Sequence, residues 1–146
     1  MMSPASATPS QPRSQWRSPV SEADRVCLAQ TIYFEGRDQP LEGRKAIAAV
    51  VLNRVKSGEF PSTICGVVRQ RNRSGCQFSW WCDGRRDHPS DRAAWEAARR
   101  IADAMIEGIY DDPTGGALFF HHHRMARRWK QYVGKTLVLG DHLFYR

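Results

Sequence analysis

Helices over the first two thirds and a small antiparallel sheet near the end predict an α+β fold for this chain. Two observations carry that expectation. Apolar residues recur at helical spacing in three runs, closed at Gly36, Gly58 and Gly108, where glycine suits a helix stop. After Gly115-Gly116 the pattern changes to short aromatic and β-branched runs around a Gly140-Asp141 turn signal.

Each element follows from local chemistry. Ser21 suits a helix N-cap, with Glu22 and Asp24 acidic in the first turn. Val26, Leu28, Ala29, Ile32 and Tyr33 continue at helical spacing, so a first helix is expected from Ser21 to Glu35. A second is expected from Leu41 to Lys56. It is apolar on most sides through Ala46, Ile47, Ala49, Val50 and Val51, which marks it as the central buried helix. Pro61-Ser62 opens a short helix through Val68. Residues 69–89 read as a polar, Arg- and Gly-rich loop around an aromatic island at Phe78, Trp80 and Trp81. Ser90 is the expected cap of a third long helix with the stripe Ala94, Trp95, Ala98, Ile101, Ala102, Met105 and Ile106. Asp111 to Gly116 is turn chemistry. Ala117 to His121 reads as a strand, and Thr136–Leu139 with Leu143–Tyr145 as a hairpin. Residues 1–20 are Pro- and Ser-rich and are expected to form a disordered leader before one folded domain, 21–146. No internal repeat is present.

The chain has 146 residues, 41% hydrophobic and 25% charged, values of a soluble globular domain. No apolar run is long enough to span a bilayer. A net charge of +7 attracts polyanions, either nucleic acid or a bacterial wall with its carboxylates and anionic polymers. Arginines cluster at Arg69, Arg71 and Arg73, at Arg85-Arg86, at Arg99-Arg100 and at Arg124, Arg127 and Arg128. No nucleic-acid-binding signature accompanies them, so no specific nucleic acid is expected and the clusters read as a solvated basic surface. The four cysteines allow three complete pairings. Cys76 and Cys82 bracket a short loop and are expected to pair, leaving Cys27 with Cys65; four reduced thiols are the alternative. Residues 1–20 lack the apolar stretch of a secretory signal. Export therefore implies a truncated signal or a phage-type lysis route.

Thr31-Ile-Tyr-Phe-Glu-Gly-Arg37 is the most informative stretch. It sets Glu35 directly after apolar and aromatic residues at a helix end. Burial against Tyr33 and Phe34 disfavours the charged carboxylate and raises its pKa. A carboxylic acid still protonated near neutral pH is the general acid that glycosidic cleavage needs. An ordinary solvated glutamate is the alternative.

Around this stretch the chain resembles the bacterial cell-wall hydrolases of the spore-cortex-lytic SleB/CwlJ type. The resemblance is carried by Tyr33-Phe-Glu-Gly-Arg37, Glu42-Gly43, Ala46 to Val55, Phe60 to Val68 and Cys76-Gln-Phe-Ser-Trp80. It continues in Gly116-Ala-Leu-Phe-Phe-His121, Trp129 and Gly140-Asp-His-Leu-Phe-Tyr145, and covers about residues 24 to 146. It implies a mainly helical, lysozyme-like domain that cleaves peptidoglycan between N-acetylmuramic acid and N-acetylglucosamine, with Glu35 as the catalytic glutamate. It also implies a lytic transglycosylase, in which the muramoyl 6-hydroxyl attacks internally and one glutamate serves as acid and then base. A water-using muramidase needs a second carboxylate, for which Asp38, Glu42 and Asp83 are the candidates. A catalytically inactive wall-binding module and a basic nucleic-acid-binding domain are further readings. A monomer acting at the wall on glycan strands is the expected form.

Beside Glu35, the expected substrate-binding residues are Tyr33, Gln77, Phe78, Ser79, Trp80, Trp81, Phe120 and His121. Flat aromatic faces suit sugar rings, while amides and hydroxyls fix orientation. One of the two adjacent tryptophans is expected to pack into the core instead. His121-His122-His123 has no zinc-site spacing, so neither a metal nor another cofactor is expected. Asn53-Arg54 reads as structural. Arg37 is expected to pair with a carboxylate and orient the loop after Glu35.

Overall fold

The computed structural model describes residues 16, 19–85, 87–122 and 136–146. Helix α1 (Glu22–Gly36) starts at a capping box: the Ser21 hydroxyl accepts the Asp24 N–H at 3.1 Å and the Asp24 carboxylate accepts the Ser21 N–H at 3.1 Å. Asp24 also accepts the Cys65 N–H at 3.1 Å, and the Cys27–Cys65 disulfide closes the same corner. This ties α1 to the short helix α3 (Ile64–Val68), capped by Thr63. Helix α2 (Leu41–Ser57) runs between them with Ala46 to Val51 all buried. Its alanines let the helices approach closely. Gly36 shows how close: a Cβ there would lie 2.5 Å from Ile47 Cδ1.

Helix α4 (Arg92–Ile106) packs Ala98, Ile101, Ala102, Met105 and Ile106 into the same core as Leu28, Ile32 and Val51. Each fully buried Leu, Ile, Val or Met side chain contributes roughly 1.5–3 kcal/mol. Its N-cap is Asp91, which accepts the Ala94 N–H at 3.1 Å, and not the expected Ser90. Both residue types cap well; the choice is tertiary, because the buried Tyr33 hydroxyl accepts the Asp91 N–H at 2.9 Å and sets where the helix starts. Ion pairs join the outer faces of α1 and α4: Arg25 with Asp103 at 2.8 Å and Glu107 at 3.0 Å, and Arg99 with Glu22 at 2.7 Å.

The loop after α3 holds more order than its polar sequence suggests. Strands β1 (Arg71–Asn72) and β2 (Gly75–Cys76) pair antiparallel, a 3-10 turn follows at Ser79–Cys82, and a Cys76–Cys82 disulfide closes the segment. The C-terminal sheet has β3 (Phe119–His122), β4 (Thr136–Leu139) and β5 (His142–Tyr145) in the order β3-β5-β4, all antiparallel. Phe144 and Ala117 pack on Ala46, Ile47 and Val50 of α2, forming a second, smaller core. Gly140, at φ +60°, makes the β4–β5 turn, and a Cβ there would strike the Gln39 amide. That amide accepts the Asp141 N–H at 2.8 Å and donates to the Asp141 carboxylate at 3.0 Å, joining the α1–α2 link to the hairpin.

Trp16 packs against the helical core with the Lys56 Nζ 5.1 Å over its ring, so packing reaches back before residue 21. The remainder of the expected leader, apart from residues 19 and 20, lies outside the described residues, as do His123, Arg124, Arg127, Arg128 and Trp129. Among the described residues no helix is long and apolar enough to cross a membrane.

Candidate active site

Glu35 lies on the last turn of α1 and lines two clefts at once. The larger, of 470 Å³, is walled by Gln77, Phe78 and Ser79 from the disulfide-closed loop, by Phe120, His121 and His122 from β3, by His142 and by Arg54. The smaller, of 390 Å³, is walled by Tyr33, Phe34, Gly36, Arg37, Asp38, His88 and Ser90. Burial pushes the Glu35 carboxyl from 4.5 up to about 7. Among the described residues no cation or hydrogen-bond donor pairs with that carboxyl to oppose the shift. The negative end of the helix macrodipole disfavours its charge further, and no basic residue sits in the last turn of α1. An acid of this kind keeps its proton on a large share of molecules at neutral pH and can give it to a leaving oxygen.

The aromatic residues beside Glu35 form a packed stack. Phe34 stacks on Trp80 with centroids 5.0 Å apart, and Tyr33 meets Phe34 edge-on at 4.9 Å. Trp80 is 7% exposed, and Trp81 meets it edge-on at 6.1 Å with the Arg69 guanidinium 4.6 Å over its own ring. So one of the two adjacent tryptophans, Trp80, belongs to the core, and neither lines these two clefts. Gln77, Phe78, Ser79, Phe120 and His121 do meet in the larger cleft, and Tyr33 lines the smaller one through a face that is otherwise buried. His121 Nδ1 lies 3.0 Å from the Tyr145 hydroxyl.

The three candidate second carboxylates separate cleanly. Asp38 shares the smaller cleft with Glu35. Glu42 is ion-paired with Lys45 at 2.7 Å on α2, and Asp83 is exposed and accepts the Arg85 N–H at 2.9 Å; neither lines these clefts.

Arg37 departs from expectation: it pairs with no carboxylate among the described residues. It donates to the Tyr33 hydroxyl, with its guanidinium 4.9 Å over the Tyr33 ring. Asn53 and Arg54 tether α2 to the approach of β3. Asn53 donates to the Ala117 carbonyl at 3.0 Å and to Asp112 at 2.9 Å, and Arg54 Nε donates to the Leu118 carbonyl at 2.7 Å. Arg54 is 2% exposed, lies 4.8 Å from the Phe60 centroid, and has its pKa lowered to about 10 by burial.

Sequence reasoning assigned no role to His88, His122 or His142 and gave Ser90 only a helix cap, though all four line the clefts, and it read Arg54 as structural alone. Arg54 carried one usable signal, a cation next to the apolar run Ala46 to Leu52 of the buried helix; the others carried none. No group of three or more His, Cys, Asp or Glu that could hold a metal ion occurs among the described residues.

Residues 38–145 match the family model described as cell wall hydrolase, a segment that begins just after Glu35. The spore cortex-lytic enzyme of Bacillus subtilis is 50% identical over 125 residues, covering 85% of this chain and 38% of that protein. The catalytic domain of the Bacillus cereus SleB protein superposes with a TM-score of 0.73 at 31% identity, covering 92% of this chain and 98% of that one. The catalytic domain of the germination-specific lytic transglycosylase SleB from Bacillus anthracis gives a TM-score of 0.71 at 32% identity, over 88% of this chain and 100% of that one. The chain spans less than half the length of the curated relatives it matches.

Proposed function

The chain belongs to the cell wall hydrolase family, and we propose that it cleaves the glycan strand of peptidoglycan at the β-1,4 bond between N-acetylmuramic acid and N-acetylglucosamine, as a lytic transglycosylase. The observation that carries this reading is the placement of Glu35, an acid raised to about 7, at the meeting of two clefts. The protonated Glu35 gives its proton to the leaving glycosidic oxygen as the C1–O bond breaks. The muramoyl 6-hydroxyl then bonds to C1, and the Glu35 carboxylate takes the hydroxyl proton. The product is a 1,6-anhydro sugar, no water is consumed, and the glutamate ends protonated as it began. Intramolecular attack profits from high effective concentration, so one carboxylate suffices. Likeness to a protein titled lytic transglycosylase supports this route.

Gln77, Phe78, Ser79, Phe120 and His121 hold the sugar in the larger cleft, and Tyr33 edges the smaller one. Trp80 supports the site from beneath through its stack on Phe34. The protein works as a monomer on glycan strands at the wall, beyond the cytoplasmic membrane. Hydrolysis by water is the second reading, favoured by one observation, that Asp38 shares a cleft with Glu35.

Mass spectrometry of the soluble products released from purified peptidoglycan tests the proposal. Anhydro-muropeptides, lighter by one water than their hydrated forms, are the expected products. Reducing-end muropeptides overturn the transglycosylase route and bring Asp38 forward. No release from any wall leaves a wall-binding module.

A further inference from the structure

We propose that Arg37 is a specificity-determining residue, binding a carboxylate of the muramoyl unit or its stem peptide while Glu35 works on the neighbouring bond. The inference rests on Glu35 cleaving the glycan, and it adds the charge the substrate must carry.

Position comes first. Arg37 is the C-cap of α1, whose last turn carries Glu35, and both side chains line the 390 Å³ cleft. Preorganisation comes second. The guanidinium donates to the Tyr33 hydroxyl and lies 4.9 Å over the Tyr33 ring. Tyr33 is 2% exposed, and its hydroxyl also accepts the Asp91 N–H at the start of α4. The arginine therefore stands on a rigid support and loses little rotamer freedom on binding an anion. Charge comes third. Arg25 and Arg99 spend their charge on Asp103, Glu107 and Glu22. Arg37 has no carboxylate partner among the described residues, although Asp38 and Glu35 line the same cleft. Glu35 cancels less of the charge than an ordinary carboxylate would, because burial holds its carboxyl up to about 7. His88 and Ser90 line the same cleft. A guanidinium fork matches a carboxylate in two parallel hydrogen bonds. The carboxylates that a glycan strand presents beside the scissile bond are those of the stem peptide and, where the peptide is missing, of the lactyl group.

The test compares the wild-type chain with Arg37→Gln and Arg37→Lys on three soluble glycan preparations. One carries stem peptides, one is stripped by an amidase so that lactyl carboxylates remain, and one has its carboxyls chemically amidated. Arg37→Gln should raise KM on the order of tenfold on charged strands with kcat unchanged. On amidated strands it should match the wild type, and Arg37→Lys should fall between. A KM difference on peptide-bearing strands that vanishes after amidase treatment names the stem peptide as the anion; one that appears only after amidase treatment names the lactyl group; one seen on both strands names both. Equal KM values for wild type and Arg37→Gln on both charged strands overturn the proposal. If the wild type cleaves no strand, the cleavage reading fails by itself. Calorimetric binding of a peptide-bearing disaccharide then decides this inference: tighter binding to wild type than to Arg37→Gln sustains it, and equal binding overturns it.

Discussion

The two ends of α1 obey opposite rules. At its N-terminus the capping groups are answered: Ser21 and Asp24 close a capping box, Asp24 reaches the Cys65 N–H, and a disulfide one turn on pins α1 to α3. At its C-terminus a carboxyl is left half-buried, beside aromatic rings and at the wrong pole of the helix dipole, with no cation in the last turn. The first end is built to stabilise. The second gives up stability so that Glu35 holds a proton near neutral pH. A short rigid helix lets one end support the other, since the anchored start fixes where the strained end points.

Glu35→Gln breaks the comparison at its chemical end. It keeps the shape and removes the proton, and wall lysis should fall on the order of 10³-fold, measured as release of soluble muropeptides. Full lysis by this variant would falsify the assignment.

Replacing both Cys27 and Cys65 by serine breaks the stabilising end. With a sequence separation of 38, loss of the bond should cost roughly 2–4 kcal/mol in denaturant unfolding. Removing Cys76–Cys82, with a sequence separation of 6, should cost less stability, yet it should lower activity because that bond shapes the wall of Gln77, Phe78 and Ser79. Equal stability losses and intact activity in the second variant would contradict this division of labour.

The smallest effect sharpens the comparison through pH. The folded-state pKa of Glu35 is raised from 4.5 to about 7. The stability tied to its protonated form is therefore fully present below 4.5 and is lost as pH rises through 7. Glu35→Gln, which never ionises, should gain on the wild type between those values and hold a constant advantage above them. Parallel denaturant midpoints across pH would refute the raised pKa.

Much of this was legible from local pattern. The starts and stops of α1 and α2, the β4–β5 hairpin with its Gly140 turn, the Cys76–Cys82 pair and the aromatic-flanked Glu35 all rest on residues within a few positions of each other, and Cys27 with Cys65 was the pair left over. The 71–76 hairpin was not legible, because Arg71-Asn72 and Gly75-Cys76 are too short and polar to show strand alternation.

What the sequence determined by itself is most of the elements and the place of Glu35 at a helix end beside Tyr33 and Phe34, since helix caps, apolar periodicity and turn residues act over one or two turns of chain. Only the tertiary structure decided that Asp91 and not Ser90 caps α4, that Trp80 and not Trp81 enters the core, that Arg37 rests on Tyr33, and that Asp38 alone of the three candidate carboxylates faces the cleft with Glu35. Most of those outcomes hang on contacts between residues far apart in the chain, such as Tyr33 with Asp91, and local sequence cannot rank two equally good caps or two equal indoles. The packed core ranks them, because it offers one position for each.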